Sequence, residues 1–279
     1  MKCFYHSADL DGHCSGALIK MAYPNCEMIG INYGDEFPWT TIKQGELVYM
    51  VDFSLQPFSG MLRLDNICQL VWIDHHKSSI EEATQLQWNI DNKKLKVGIG
   101  ACYLVWQYIN KGLLIPTFIK LLAEYDVWNH SDPRTLPFQY GMRQIKNTNP
   151  ENQDFWLSLF DVEMVNRIGE NGAIILDYQN SENEKYASAC AFKTELDGLK
   201  CVTINKMLTN SKVFDSVWDE SKYDAMMSFG FRKGQWTVSL YSTKDTVDVS
   251  EIAKNRGGGG HKGAAGFQCE ELPFKLGNI

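Results

Sequence analysis

Three strand-like apolar runs of the chain each end in residues whose side chains are carboxylates or imidazoles. The first segment is His6-Ser7-Ala8-Asp9-Leu10-Asp11, the second ends in Asp52, and the third is Asp74-His75-His76. A fourth acidic position, Asp126, follows a helix-like segment. Because the carboxyl ends of parallel strands lie along one edge of a sheet, we expect these groups to converge in one cleft.

Such a cluster would bring five carboxylates and three imidazoles within a few ångströms of one another. Like charges at that range repel strongly, so the cluster needs cations. Oxygen-rich ligands with some imidazole suit Mn²⁺ or Mg²⁺ better than a thiolate-seeking ion. Each motif alone also fits a turn or a helix cap. Their shared position at strand ends favours a site for two metal ions, with one carboxylate bridging them.

The elements that must position these residues alternate between strand and helix in the first half of the chain. The patterns predict strands over residues 2–5, 46–51 and 70–73, and helices over residues 12–23, 100–110 and 116–125. This alternation is typical of a parallel sheet with helices on both faces.

The second half of the chain has a different pattern. A long stretch with helical period predicts a connecting helix over residues 161–190. Alternating residues around the turn Asp197-Gly198 predict a hairpin over 191–204, and a second hairpin follows over 225–242. We therefore predict an α/β protein with an N-terminal parallel-sheet domain over 1–160 and a smaller α/β domain over 191–279.

The second predicted domain contains a glycine-rich segment. Glycine permits positive φ, so consecutive backbone N–H groups there can surround an anion. The side chains of His261 and Lys262 would add donors to the same phosphate. The small residues that follow, 263–266, have the character of a helix start. The predicted phosphate-binding residues are Gly258, Gly259, Gly260, His261 and Lys262.

Composition limits the classes of protein that fit. The chain has 27 Lys and Arg against 34 Asp and Glu, for a net charge of −7 and a pI near 5.4. This excludes a disordered polycation and argues against a protein that holds long duplexes by bulk charge. A small anionic substrate remains possible, because bound metal ions can invert the local sign. No apolar stretch is long enough for a membrane span, and the N-terminus turns polar too soon for a signal peptide. The eight cysteines form no C-x-x-C pair, which predicts reduced thiols and a cytoplasmic protein.

These motifs resemble those of the DHH phosphoesterase superfamily, in the branch with a C-terminal DHHA1 domain. Asp74-His75-His76 matches the signature that names the family, and residues 258–266 match the GGGHxxAAG motif of its second domain. The resemblance covers nearly the whole chain. It implies a parallel-sheet domain joined by a helix to a smaller α/β domain, with the active site in the cleft between them.

The resemblance also implies a site with two Mn²⁺ ions, Mg²⁺ being an alternative, as in the nucleases and phosphatases of this family. The implied metal ligands are His6, Asp9, Asp11, Asp52, His75 and Asp126. His6 and Asp9 would hold the first ion, and Asp52 would bridge both. Asp11, with the remaining two ligands, would hold the second. Asp74 would orient a ligand, and His76 would face the scissile phosphate.

The sequence departs from the family pattern in two places. His6 lies three residues before Asp9, where many relatives have a spacing of four. In the second domain, Ser239-Leu240-Tyr241-Ser242 stands where relatives carry an arginine. Arg232 or Arg256 would then supply the missing positive charge, and Tyr241 would stack on a base.

The expected function is metal-dependent hydrolysis of phosphodiester bonds in short single-stranded oligonucleotides. The two predicted domains leave no room for a further domain that grips long strands. Two related activities stay open, a phosphatase acting on 3′,5′-bisphosphate nucleotides and a cyclic-dinucleotide phosphodiesterase. A non-catalytic nucleotide sensor is a further alternative. It is disfavoured because every implied metal ligand is present. A homodimer is left open by the sequence.

Overall fold

The computed structural model describes residues 1–88 and 92–275. The chain divides into two compact units, Met1–Leu176 and Asp177–Ile279. Within the described residues, no helix is long and apolar enough to cross a membrane.

The first unit is built on a parallel sheet. In the described part of the chain it has five strands, β1 Lys2–His6, β2 Glu27–Ile31, β3 Leu47–Val51, β4 Gln69–Asp74 and β5 Lys93–Leu95. Their order is β2-β1-β3-β4-β5, and every neighbouring pair is parallel. The chain leaves β1 for one side of the sheet and then returns to β3 on the other side. The carboxyl ends of β1 and β3 therefore flank a switch in strand order, where ligands bind in α/β sheets.

Helices cover both faces of this sheet, as the predicted α/β fold requires. They are α1 Leu10–Ala22, α2 Ser59–Ile67, α3 Lys77–Gln85, α4 Ala101–Ile109, α5 Thr117–Asp126, α6 Thr135–Met142, α7 Gln153–Ser158 and α8 Val162–Cys190, with a 3₁₀ turn at Trp39–Thr41. We predicted a connecting helix over 161–190, and α8 occupies those positions. The division between the two compact units falls inside α8.

The central strands are buried on both faces, which explains their continuous apolar sequences. Tyr5, Val51 and Ile73 point into one core, with residues of α1, α4 and α5. Phe4 and Trp72 point into the other core, which includes residues of α2. Three neighbouring strands are thus fixed in register by side chains above and below, so the residues at their carboxyl ends are fixed as well.

The second unit contains a mixed sheet of six strands among its described residues. They are β6 Phe192–Leu196, β7 Leu199–Asn205, β8 Ala225–Arg232, β9 Gln235–Tyr241, β10 Gly259–His261 and β11 Ala264–Cys269. The strand order is β10-β11-β9-β8-β7-β6, with only β7 and β8 parallel. The short helix α9 Val249–Lys254 packs on one face. Both predicted hairpins are present as β6–β7 and β8–β9.

The predicted helix start after the glycine run is wrong. Residues Ala264–Cys269 form strand β11, which pairs with β9. Ala265, Phe267 and Cys269 alternate into the core of the second unit, and this period of two belongs to a strand. The glycines before them end α9 instead, because the N–H groups of Gly257 and Gly258 donate to carbonyls of that helix.

One glycine of the first unit permits the approach of α1 to β1. A Cβ at Gly12 would lie 1.9 Å from the carbonyl oxygen of His6, so no other residue fits without moving the backbone. Gly169 in α8 has no neighbour within 4 Å of the corresponding position.

We predict that Gly12→Ala lowers the free energy of unfolding by about 1–3 kcal/mol, because the new methyl group overpacks the β1–α1 junction. Gly169→Ala is the matched control and should stabilise the helix by up to about 1 kcal/mol. Urea denaturation followed by circular dichroism measures both. Equal stability of the two variants would contradict the argument.

Candidate metal centre

The carboxyl ends of β1, β3 and β4 bring their polar residues together at the switch in strand order. β1 ends in His6, β3 is followed by Asp52, and β4 ends in Asp74. The registers Tyr5 opposite Val51 and Val51 opposite Ile73 place these ends side by side. The convergence expected from the sequence is therefore present in the first unit.

Asp52 lies between two groups of ligand atoms. Its carboxylate is buried, with Oδ2 3.8 Å from His6 Nδ1 and Oδ1 3.2 Å from His75 Nε2. Neither oxygen accepts a hydrogen bond from the described residues. Its φ of +56° turns the backbone sharply at the end of β3. A buried carboxylate is costly unless positive charge lies beside it, so this position favours a protonated imidazole or a cation on each side of Asp52.

The first group consists of His6, Asp9 and Asp52, with one ligand atom of each within 4.8 Å of the others. Asp9 Oδ1 accepts a hydrogen bond from Gly12 N at 2.9 Å and caps α1. Its Oδ2 faces His6 Nδ1 at 3.0 Å. The spacing of three between His6 and Asp9 therefore still brings the two side chains together.

The second group consists of Asp11, His75 and Asp126, again within 4.8 Å of one another. His75 Nε2 lies 3.1 Å from Asp126 Oδ2 and 3.9 Å from Asp11 Oδ2. Asp11 also has a structural contact, because its oxygens accept hydrogen bonds from the N–H groups of Ala101 and Cys102. These two residues begin α4, whose N-terminal partial positive charge favours a carboxylate.

Asp74 uses its oxygens on the protein. The fully buried Oδ1 accepts hydrogen bonds from the N–H groups of His75 and His76 and lies 2.7 Å from His76 Nδ1, while Oδ2 accepts from Trp72 Nε1. Asp74 also has an oxygen near Asp52, His75 and His76, which together form a third group of potential ligands. Its hydrogen bonds fit the predicted orienting role, since they fix the ring of His76.

Burial and mutual charge strongly shift the pKa values of the carboxylates and imidazoles in the cluster. Burial raises the pKa of Asp11 and Asp52, and neighbouring carboxylates raise both further. Burial opposes protonation of the imidazoles, but the facing carboxylates prevail and raise the pKa of His6 to about 10 and that of His75 to about 12. Asp74 likewise raises the pKa of His76 to about 9 against the effect of burial. Protons on the imidazoles thus balance the carboxylates when no cation does.

The donor set fits hard divalent ions. Carboxylate oxygens dominate both groups, with one imidazole in each, which suits Mn²⁺ or Mg²⁺. Buried Asp52 oxygens and a buried His6 Nδ1 without hydrogen bonds in the described structure are the groups that such ions would satisfy.

Arg232 of the second unit lines an open cavity of about 520 Å³ on the sheet face opposite α9. Lys206 and Lys233 line it too, together with hydroxyl and amide side chains, and no carboxylate does among the described residues. This charge would attract an anion. Arg256 is instead held by two hydrogen bonds to Asp197, so Arg232 is the better candidate for the missing arginine.

Other predicted substrate-binding residues of the second unit have structural contacts. The hydroxyl of Tyr241 donates to the carbonyl of Thr209, and its ring packs against a small buried cluster, so its packing does not favour base stacking. Gly259, Gly260 and His261 form β10 at the edge of the sheet, and Lys262 is exposed. Gly258 donates its N–H to Ala253 in α9. The role of this segment in binding phosphate stays a prediction.

Sequence reasoning missed two aromatic neighbours of the cluster. The ring of Tyr33 lies 5.7 Å from that of His6, and Phe53 lies 5.8 Å from His6. Tyr33 follows β2, whose Glu27 and Gly30 are not typical of a buried parallel strand. A prediction of β2 would have placed Tyr33 at the same sheet edge. His13, on the first turn of α1, is half-buried and contacts Thr148 Oγ1 and the carbonyl of Ser7.

Comparisons with known proteins identify relatives of this chain. No family model matches the chain. An uncharacterized protein, R106, of Acanthamoeba polyphaga mimivirus is 27% identical over 257 residues, covering 82% of this chain and 55% of its own length. Oligoribonuclease NrnB of Bacillus subtilis is 25% identical over 235 residues, covering 73% of this chain and 54% of its own length. The chain thus spans a little over half the length of these relatives.

A solved structure shares the fold. The pGpG-specific phosphodiesterase PggH of Vibrio cholerae superposes with a TM-score of 0.56 at 12% identity, over 96% of this chain and 92% of that one. The shared fold consists of a parallel-sheet unit, which carries Asp74-His75-His76 in this chain, and a second unit with a mixed sheet. The likeness to oligoribonuclease NrnB supports the resemblance of this chain to the DHH/DHHA1 phosphoesterase superfamily.

We predict that Mn²⁺ stabilises the protein through Asp52. At a concentration 100 times its dissociation constant, an ion bound only by the folded state adds about 2.7 kcal/mol, or roughly 5–10 °C in the melting temperature of a chain of this size. Asp52→Asn should lose most of this increment, and asparagine tolerates the positive φ of this position. The exposed Asp177→Asn is the control. If Mn²⁺ raised the melting temperature of Asp52→Asn as much as that of the wild type, Asp52 would not be a metal ligand.

We also predict that the metal-free protein loses stability as pH rises from about 6.5 to 9. The folded-state pKa values of His6, His75 and His76 exceed the ordinary value of 6.5, so the folded state binds more protons than the unfolded state in this window. Each histidine that stays protonated contributes up to about 1.4 kcal/mol per pH unit. Urea denaturation in EDTA measures this slope. Stability that rises with pH in EDTA would contradict the assigned charges.

Proposed function

We propose that the chain is a metal-dependent phosphoesterase that hydrolyses phosphodiester bonds of short oligonucleotides. The observation that carries this proposal is the position of Asp52, with one oxygen toward each of two groups of metal-ligating side chains. The relative named an oligoribonuclease supports the substrate class, and the acidic composition argues against long duplexes.

In this proposal the residues of the two groups hold a pair of divalent ions. His6 and Asp9 would hold one ion, Asp11, His75 and Asp126 would hold the other, and Asp52 would serve both. The ions would supply Lewis-acid activation of the attacking water and of the phosphate oxygens. Their ligands are held in place by the protein, since Asp9 caps α1 and Asp11 binds the start of α4.

His76 is the proposed catalytic residue outside the metal ligands. Its Nδ1 lies 2.7 Å from Asp74 Oδ1. This contact fixes the orientation of the ring and therefore of its other nitrogen, Nε2. A histidine held in this way can donate a proton to the leaving oxygen or stabilise charge on the phosphate. Asp74 acts through His76 by holding that ring.

The second unit is proposed to bind the rest of the substrate. Arg232 and its lysine neighbours offer positive charge without competing carboxylates among the described lining residues. The glycine segment with His261 and Lys262 is proposed to hold a further phosphate. In this arrangement residues 1–160 form the catalytic domain, and residues 191–279 form the substrate-binding domain.

The proposal is tested by turnover with Mn²⁺ on a 5′-labelled dinucleotide, a 24-mer, pAp and a cyclic dinucleotide. We expect the dinucleotide to be hydrolysed most efficiently, with activity removed by EDTA and restored by Mn²⁺. Release of phosphate from pAp alone would replace the proposal with a nucleotide phosphatase. Hydrolysis of none of the four would exclude a phosphoesterase of this kind.

We predict that His76→Ala lowers kcat on the dinucleotide by about 10²–10⁴-fold, the usual contribution of a general acid. Asp74→Asn should lower kcat less, because this variant keeps the imidazole of His76 and loses only the carboxylate that orients it. Asp177→Asn should keep wild-type turnover, and circular dichroism checks that each variant is folded. Wild-type kcat in His76→Ala would show that the ring takes no part in the reaction.

A further inference from the structure

A cavity of about 300 Å³ lies beside the candidate metal centre, within the first unit. Its walls come from the loop after β2 and from the segment between β3 and α2. Aromatic side chains form much of the lining, namely Tyr33, Phe37, Trp39 and Phe53. None of these rings belongs to the proposed metal ligands. The cavity therefore has no role in the function proposed so far.

Tyr33 connects this cavity to the reacting groups. Its ring packs on Phe53 with 4.7 Å between centroids and lies 5.7 Å from the ring of His6 and 6.4 Å from that of His76. The side chain is nevertheless 48% exposed. An aromatic ring supported from one side and open to solvent on the other is a surface on which a base can stack.

Asn32 also lines the cavity, and its side chain has a polar atom without a hydrogen-bond partner among the described residues. Asn32 Oδ1 is buried and accepts no hydrogen bond from the described residues. Its backbone N–H donates to Asp35 Oδ2 at 2.8 Å, which holds the loop in a turn. Leaving a buried acceptor unsatisfied is destabilising, and a bound donor would remove that penalty. Asp35 and Arg63 also line the cavity, so its rim offers a hydrogen-bond acceptor and a donor.

We propose that this cavity binds the nucleobase adjacent to the scissile phosphate, and that it selects a purine carrying an amino group. The base stacks on Tyr33, and its amino group donates to Asn32 Oδ1. This inference rests on the proposed function for the position of the phosphate, and it names the part of the substrate that the metal centre cannot recognise. Adenine and guanine both carry such an amino group, whereas hypoxanthine carries none.

Binding of mononucleotides tests this without turnover, because they contain no phosphodiester bond. Titration calorimetry on the Mn²⁺-loaded protein compares AMP, GMP, IMP and ribose 5-phosphate. We expect AMP or GMP to bind at least about 5-fold more tightly than IMP, since IMP leaves the acceptor unsatisfied. Ribose 5-phosphate should bind more weakly still, by about 5- to 150-fold relative to the better purine, the range expected for loss of one stacked base. Equal affinity of all four ligands would overturn the proposal.

Variants of Tyr33 and Asn32 test whether these two residues cause the purine selectivity. Tyr33→Leu should weaken purine binding by about 5- to 150-fold, and Tyr33→Phe should retain it, because stacking needs the ring and not the hydroxyl. Asn32→Leu should remove the preference over IMP while stacking persists. Tyr178→Leu, at an exposed tyrosine of α8, is the matched control. Equal weakening of ribose 5-phosphate and AMP in Tyr33→Leu would indicate a disturbed metal centre and contradict base stacking.

The outcomes separate this inference from the proposed function. Purine-selective binding that depends on Tyr33, without hydrolysis of any phosphodiester, would retain the base site and reject the enzyme. Hydrolysis of dinucleotides with no dependence on the base or on Tyr33 would retain the enzyme and reject the base site. In the hydrolysis assay, Tyr33→Leu should raise KM more than it lowers kcat.

Discussion

Repulsion among buried carboxylates is the physical constraint on which the first unit of this protein depends. Asp11, Asp52 and Asp74 are almost completely removed from water at one edge of a parallel sheet, where solvent no longer screens their charges. Such an arrangement persists only if positive charge or hydrogen-bond donors lie beside each of them. The identity of those partners separates the carboxylates that serve the fold from those available to a ligand.

The partners differ from one carboxylate to the next. Asp74 is satisfied by two backbone N–H groups, an indole and an imidazole. Asp11 is satisfied by the start of α4. Asp9 divides its oxygens between α1 and His6. Asp52 faces the imidazoles of His6 and His75, and within the described residues it has no backbone donor. Its charge therefore depends on protons on those rings or on bound cations.

The sequence allowed the main features of this site to be predicted, because parallel strands place consecutive strand ends at one sheet edge. His6, Asp52 and Asp74 follow from that rule once β1, β3 and β4 are recognised as apolar runs. The α/β class, confirmed by the structure, follows from the same runs. Their individual roles stay predictions, since geometry alone assigns no ion and no reaction step.

Other features depend on tertiary contacts that local patterns do not contain. β2 has the polar Glu27 at its start and Gly30 near its end, so its strand character depends on pairing with β1. The small residues after the glycine run were wrongly expected to begin a helix, because pairing with β9 overrides their local preference. The contact of Asp11 with α4 joins residues 90 and 91 positions apart, and no spacing rule in the sequence indicates it.

The positive φ of Asp52 limits which metal ligands this position can carry. At +56°, a β-branched or bulky side chain would strain the backbone, whereas aspartate and asparagine adopt this conformation at low cost. A glutamate there would also extend its carboxylate one methylene further, into a space already bounded by His6 and His75. The chemistry of the sheet edge is thus restricted by its backbone, and the metal preference of the fold should be harder to redesign at Asp52 than at Asp9 or Asp126.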